Sequence, residues 1–159
     1  MTYKSILVPL DGSALAEAIL PEIEMLARCM QARIILLRVC RAHVFPGRDP
    51  TKAEIGVVRR AEGYVAAIRD RLAAKGLEVE ALVRYGAVAE EILTHSSRND
   101  IDLIAMSTHG RSGLGRWALG SVAEKIVRRS DKPVLLLRAK ELLEAGTADT
   151  EDPEGSPED

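Results

Sequence analysis

The chain has 159 residues, 47% of them hydrophobic and 3% aromatic, with a formal net charge of −2. That length suits one domain with a sizeable core and is short for two. With so few aromatics the core must be Val, Ile, Leu and Ala, a palette suited to buried parallel strands under helices. The charge is uneven, because residues 141–159 hold eight acids and no Lys or Arg, leaving 22 basic and 16 acidic groups in residues 1–140. Such a surplus is compatible with an anionic small ligand but reads first as an ordinary solvated surface, and it is too modest and scattered for nucleic acid, with no basic run and interleaved aromatics. No apolar run approaches the roughly 20 residues of a membrane span. The N-terminal "MTYKSILVPLDGS" carries no basic region followed by an apolar stretch and a cleavage site. A cytoplasmic protein with neither a membrane nor a nucleic-acid partner is expected. Cys29 and Cys40, without CxxC spacing or a nearby His cluster, read as reduced thiols, and no metal site is expected.

Short apolar runs alternate with helical patterns, predicting five strands and four helices in βαβ order. The first strand is "SILVPL" at 5–10, closed by the turn "LDGS". Asp11 in that turn is open to two readings: an acceptor for a ribose hydroxyl or base amino group, or an Asx turn satisfying its own backbone. Ser13 is the expected N-cap of a helix over 14–30. That helix carries a stripe of Leu15, Ile19, Ile23, Leu26 and Met30, with Pro21 kinking it or loosening its first turn. The second strand is "RIILLRV" at 33–39, followed by an aperiodic loop over 40–52 that holds His43 as a surface group. A helix over 53–74 has its stripe at Ile55, Val58, Ala61, Val65, Ile68 and Leu72. The third strand, "LEVEALVRY" at 77–85, turns through "YGAVAEE" into a helix on which His95 reads as another surface group. "IDLIAM" at 101–106 is the fourth strand, and Asp102, preceding its body, is expected at the end of the sheet away from any ligand. "PVLLLR" at 133–138 is the fifth, after which the acidic residues 141–159 are expected to be disordered, leaving 1–140 as the folded domain.

In an open parallel sheet ligands sit outside the carboxyl ends of the strands, which directs attention to the stretch from Ser107 to Arg129, "STHGRSGLGRWALGSVAEKIVRR". Gly110, Gly113, Gly115 and Gly120 permit positive φ and close approach of a ligand to main-chain N–H groups. Gly120 and Ser121 open a helix whose uncapped N–H groups favour an anion, and phosphate suits them. The hydroxyls of Thr108, Ser112 and Ser121 fit the same chemistry. A P-loop is excluded, since "RW" follows Gly115 where Lys and Ser or Thr are required. Gly113, Gly115 and Ala118 spell G-x-G-x-x-A, but several residues beyond the strand and without an acid about 20 residues on, so the dinucleotide signal is weak. His109 is open to roles as a phosphate contact, an acid or base, or a turn residue; Arg111 and Arg116 either neutralise phosphate or are solvated. The loop has no carboxylate to activate water or hold a metal, so efficient hydrolysis is not expected and no catalytic residue is assigned.

"ILVPLDGS" and "DLIAMSTHGRSGLGRWALGSVAEKIVRRSDKPVLLLR", together with the strand and helix order, resemble the universal stress protein family over residues 3–138. The resemblance implies an adenine nucleotide alpha hydrolase-like α/β fold, with a five-stranded parallel sheet in the order 3-2-1-4-5. It implies ATP or another adenine nucleotide as ligand, with or without Mg. The pattern G-x2-G-x9-G-[ST] of nucleotide-binding members matches at Gly110, Gly120 and Ser121, while its first glycine is Ser107 here. The implied site comprises Pro9, Leu10, Asp11, Val39, Ser107, His109, Gly110, Arg111, Gly113, Gly120, Ser121 and Val122. Asp11 would hold the adenosine end, and the main chain near Pro9 and Val39 would flank adenine. The function implied is a nucleotide-binding sensing or regulatory module without efficient turnover, homodimeric through strand 133–138. A nucleotide-free dimeric interaction protein and a slow ATPase are the alternatives.

Overall fold

The computed structural model describes residues 3–41, 50–108 and 119–138. Its elements run β1 (Ser5–Leu10), α1 (Ala14–Glu17), α2 (Leu20–Met30), β2 (Arg33–Cys40), α3 (Pro50–Ala73), β3 (Val79–Tyr85), α4 (Val88–Arg98), β4 (Leu103–Ser107), α5 (Ser121–Arg129) and β5 (Val134–Leu137). The five strands pair in parallel in the order β3-β2-β1-β4-β5 expected above. Because side chains alternate across a strand, every strand can feed two cores. Ile6, Val8, Leu10, Ile34, Leu36, Leu103 and Ala105 pack on one face with Ile19, Ile23, Ile68 and Leu72 of the α1–α3 side. Leu7, Ile35, Leu37, Val39, Ile104 and Met106 pack on the other with Ile92 of α4 and Ala123 and Ile126 of α5. β5 divides in the same way, Leu135 and Leu137 joining the first core and Val134 and Leu136 the second.

The helix expected over 14–30 is two helices. Ser13 caps α1 as expected, its Oγ accepting from Ala16 N at 3.1 Å, but the helix ends at Glu17 and a new one starts at Leu20. Pro21 sits in the first turn of α2, where its missing donor costs nothing because first-turn N–H groups have no intrahelical acceptor. α3 begins at Pro50, earlier than the expected 53. Ile55 is 49% exposed and does not belong to the buried stripe, which runs through Ala61, Val65, Ile68 and Leu72. His95 is likewise not a surface group: it is only 8% exposed, and Asn99 Nδ2 lies 3.2 Å from its Nδ1. Burial, seconded by the charge of Arg84 and opposed by Glu80, lowers its pKa below the ordinary 6.5.

At the amino end of the sheet, Asp102 ties β4 to β1. One carboxylate oxygen accepts from Lys4 N at 2.7 Å and Ser5 N at 3.0 Å, and Asp102 N donates back to Ser5 O at 3.1 Å. The two backbone donors hold its pKa below the ordinary 3.8. Asp102 therefore lies at the end assigned to it from the sequence. The acidic tail, residues 141–159, with His43 and the middle of the 40–52 loop, lies outside the described residues. No described helix is long and apolar enough to cross a membrane.

Candidate functional site

The strand order places the connections leaving β1 and β4 on opposite sides, the arrangement that opens a crevice at the carboxyl edge. The β1–β4 pairing spans only Ile6↔Leu103 and Leu7↔Ile104. It stops short of Pro9, whose ring removes a ladder donor and which is tolerated in a central strand only where pairing has lapsed. Beyond that point a cavity of about 810 Å³ opens, within the range of about 300–1,000 Å³ common for small-molecule clefts.

One wall of the cavity is apolar, formed by Val39, Val88, Ile92, Met106, Val122 and Ala123. The wall toward α3 is polar, with Arg38, Arg41, Arg60 and Tyr64. The first turn, Leu10–Gly12, enters between them. Asp11 Oδ1 accepts from Ser13 N at 2.9 Å and Ser13 Oγ at 2.6 Å, so the Asx-turn geometry is present, and the same residue lines the cavity. Gly12 at φ 82° supplies the left-handed conformation the turn requires. Ser13 in turn caps α1, and Glu17 of α1 accepts from Tyr64 Oη of α3 at 2.8 Å. Burial and that acceptor raise the Tyr64 pKa. A hydrogen-bonded chain thus runs from Asp11 through one turn of helix to the opposite wall.

On the far side, Ser107 ends β4, and the N–H of Gly120 donates to Thr108 O at 2.9 Å. This bond pins together the two ends of the glycine-rich loop and corrects the expectation for Gly120: its own N–H is engaged, and its φ of −60° is open to any residue. What glycine provides here is the missing side chain. Gly120 cannot cap α5, so the first-turn N–H groups of Ser121, Val122 and Ala123 have no intrahelical acceptor and open toward the cavity those residues line.

Pro9, Leu10, Asp11, Val39, Ser107, Gly120, Ser121 and Val122 of the sequence-derived set all line this one cavity. His109, Gly110, Arg111 and Gly113 lie outside the described residues, as do Ser112, Gly115 and Arg116. Sequence reasoning did not pick out Arg38, Arg60 and Tyr64. A signal for Arg38 was available, since it breaks the apolar run "RIILLRV" near its carboxyl end; Arg60 and Tyr64 share a helical face with Val57 and Ala61, a spacing of four that reads as packing. Cys40 also lines the cavity, its thiol pushed up by burial against the opposing charge of Arg38. Among the described residues no group of three or more His, Cys, Asp or Glu is placed to hold a metal ion.

A family model described as the universal stress protein family matches residues 2–138. The chain belongs to the universal stress protein family. It is 30% identical over 151 residues to universal stress protein YxiE of Bacillus subtilis, covering 86% of this chain and 99% of that one. Among solved structures it is similar to universal stress protein UspA from Lactobacillus plantarum, with TM-score 0.75, 26% identity, and 87% and 99% of the two chains covered. Two more distant members share the fold. One is the universal stress protein from Archaeoglobus fulgidus in complex with dAMP, at TM-score 0.63 and 20% identity over 87% of this chain and 100% of that one. The other is a universal stress protein in complex with cAMP, at TM-score 0.61 and 22% identity over 87% and 99%.

Proposed function

We propose that this universal stress protein binds an adenine nucleotide, foremost ATP, at the carboxyl edge of its sheet and acts as a cytoplasmic sensing or regulatory module without efficient turnover. The observation that carries the reading is the convergence on one cavity of the Asp11 turn and the uncapped start of α5. In this reading the apolar wall takes adenine, Asp11 accepts from a ribose hydroxyl, and the first-turn N–H groups of α5 take the phosphates. The fold relatives solved with dAMP and cAMP support the ligand class. Among the described lining residues, the β4–α5 side offers the hydroxyls of Ser107, Thr108 and Ser121 but no carboxylate or imidazole to activate water. That favours binding over turnover.

The test is mass spectrometry of small molecules released on denaturation, with calorimetric titration of the emptied protein. Adenine nucleotide near one equivalent and a micromolar affinity, about −8.2 kcal/mol, are expected; no heat and no thermal shift with millimolar ATP would remove the proposal. Turnover is checked separately, and multiple phosphate releases per minute would make the protein an enzyme.

The reading includes a homodimer through β5, an edge strand without a charged residue between Val134 and Leu137. Two copies pairing antiparallel across a two-fold axis would continue the sheet. Sedimentation should show a dimer at tens of micromolar that Leu136→Pro weakens; a wild-type monomer would refute it.

A further inference from the structure

Tyr64 lines the cavity from the α3 side, apart from both the glycine-rich stretch and the start of α5. Its ring packs against the core on the α1–α3 side of the sheet, which limits where its hydroxyl can stand. That hydroxyl has one proton to give, and gives it to Glu17 Oε1 at 2.8 Å. A phenolic oxygen also accepts, so what it offers the cavity is a lone pair. Glu17 is fixed in turn, since α1 is a single turn capped by Ser13, whose Oγ donates to Asp11 Oδ1 at 2.6 Å. Asp11 lines the same cavity. Burial foremost, then the bond to Glu17 and the charges of Glu17 and Asp11, raise the Tyr64 pKa against the opposing charge of Arg38. Arg38 Nη1 in turn reaches Leu10 O at 3.4 Å. The phenol therefore keeps its proton on Glu17 and stands within electrostatic reach of the turn that carries Asp11.

We infer that Tyr64 is a specificity-determining residue of this cavity, its oxygen accepting from the ribose hydroxyl next to the one taken by Asp11, so that the site selects a ribonucleotide over its deoxy counterpart. The inference rests on the nucleotide reading above, in which Asp11 accepts from a ribose hydroxyl. A ribose carries its two free hydroxyls side by side on one edge, and each is a donor. The edge they would meet is made of acceptors: the Asp11 carboxylate, and a phenolic oxygen whose own proton is engaged by Glu17. Two donors match that edge, whereas a ring lacking one of them leaves a half-buried acceptor without a partner. A site built to hydrogen-bond a hydroxyl rejects the analogue without it for this reason. The carboxylates of Asp11 and Glu17 favour a donor at this corner and oppose an anionic substituent on the ring. The tie between Tyr64 and Glu17 thus does more than join α3 to α1: it turns the phenol into a pure acceptor toward the ligand.

Calorimetric titration of the full chain, stripped of small molecules, with ATP, 2′-deoxy-ATP and 3′-deoxy-ATP tests this. ATP is expected to bind about fivefold or more tightly than at least one of the two analogues, with that preference shrinking toward one in Tyr64→Phe. Phenylalanine keeps the ring and its packing, and circular dichroism confirms that the variant is folded. Equal affinities for ATP and both analogues in the wild type would overturn the inference while leaving nucleotide binding intact. A Tyr64→Phe variant that weakens all three ligands alike, or leaves every preference undiminished, would reduce Tyr64 to a tie between helices and overturn it as well. No binding of any of the three by the wild type would overturn both this inference and the nucleotide reading.

Discussion

Asp11 and Asp102 stand at opposite ends of the same pair of neighbouring strands, and they do different work. Asp102, at the amino end, accepts from the backbone of Lys4 and Ser5, nearly a hundred residues away in sequence. It ties β4 to β1 at the amino edge of the sheet. Asp11, at the carboxyl end, is held by Ser13, two residues away, and faces a cavity. A carboxylate that accepts from backbone donors far away in sequence ties two strands together, whereas Asp11 shapes a turn at the open end and lines the cavity. The residue type is the same in both places, and the direction of the strands decides the role.

Substitutions at the two ends should therefore separate binding from stability. The largest effect is expected at the carboxyl end, at Gly120→Val. The backbone there, φ −60° and ψ 147°, is open to valine, and because Gly120 is buried circular dichroism checks that the variant is folded before its affinity is read. The branched side chain, however, stands where a phosphate must approach α5. Affinity for ATP should fall by about a hundredfold, roughly 2.8 kcal/mol, with Gly120→Ala intermediate. Unchanged affinity in calorimetry would move the phosphates away from α5.

Asp102→Ala should invert that pattern. It strips two backbone donors of their charged acceptor, a loss of about 1.5–3 kcal/mol, read as a lower midpoint in urea, while the folded fraction binds ATP as tightly as wild type. The sign with pH follows from its lowered pKa. Asp102 is more acidic in the folded protein than the ordinary 3.8, so its contribution is complete above that value and is lost as pH falls through the folded pKa. Wild type and variant should converge in stability in strong acid. A parallel pair of pH curves would show that Asp102 does not supply the difference.

Much of this division was legible in the sequence because it follows from strand direction. Asp102 precedes the apolar body of its strand and Asp11 follows its own, which suffices to put them at opposite ends. The two-sided apolar runs "SILVPL" and "RIILLRV" likewise announce central parallel strands. Failures came where a helix's neighbours, rather than its period, decide exposure. Ile55 fits the stripe of α3, yet its turn stands beside the cavity and not on the sheet. His95, polar by type, is covered by β3 and carries its own satisfaction through Asn99. Arg38 was passed over because a single charge in an apolar strand reads as an end signal, although its position on the core face marks a side chain turned into the cavity.

His95 gives a prediction of intermediate size that belongs to neither end. Its pKa is lowered by burial and by Arg84 on β3, with Glu80 opposing. The folded state therefore prefers neutral imidazole, and the unfolded chain takes up the proton first. The associated stability is complete above the ordinary 6.5 and declines as pH falls below it toward the folded pKa. Urea midpoints between about pH 7.5 and about pH 5 should drop in the wild type and flatten in His95→Gln, with ATP affinity following neither. An equal slope in the variant would assign the titration to another group.

The smallest effect is expected at Ser13, where the two ends of the comparison meet in one residue. Its hydroxyl donates to Asp11 and accepts from Ala16 N, so it is at once a ligand-side positioning group and a helix cap. Ser13→Ala removes both bonds. Loss of an N-cap costs about 1 kcal/mol, and α1 is a single turn whose other anchor is the Tyr64–Glu17 bond, so the loss should be local rather than global. Asp11 keeps the Ser13 backbone donor at 2.9 Å but loses the shorter of the two bonds that Ser13 gives it, and a less fixed carboxylate orders less of the ribose in advance. The affinity for ATP should fall only a few-fold, about 0.5–1 kcal/mol, alongside a stability loss of similar size. Ser13→Asp provides the contrast: aspartate is as good a cap as serine, but it cannot donate to Asp11 and sets a second negative charge beside it. Stability should be restored while affinity stays low. If Ser13→Asp instead recovered both, the hydroxyl's bond to Asp11 would have no part in holding the ligand, and Ser13 would be a cap alone.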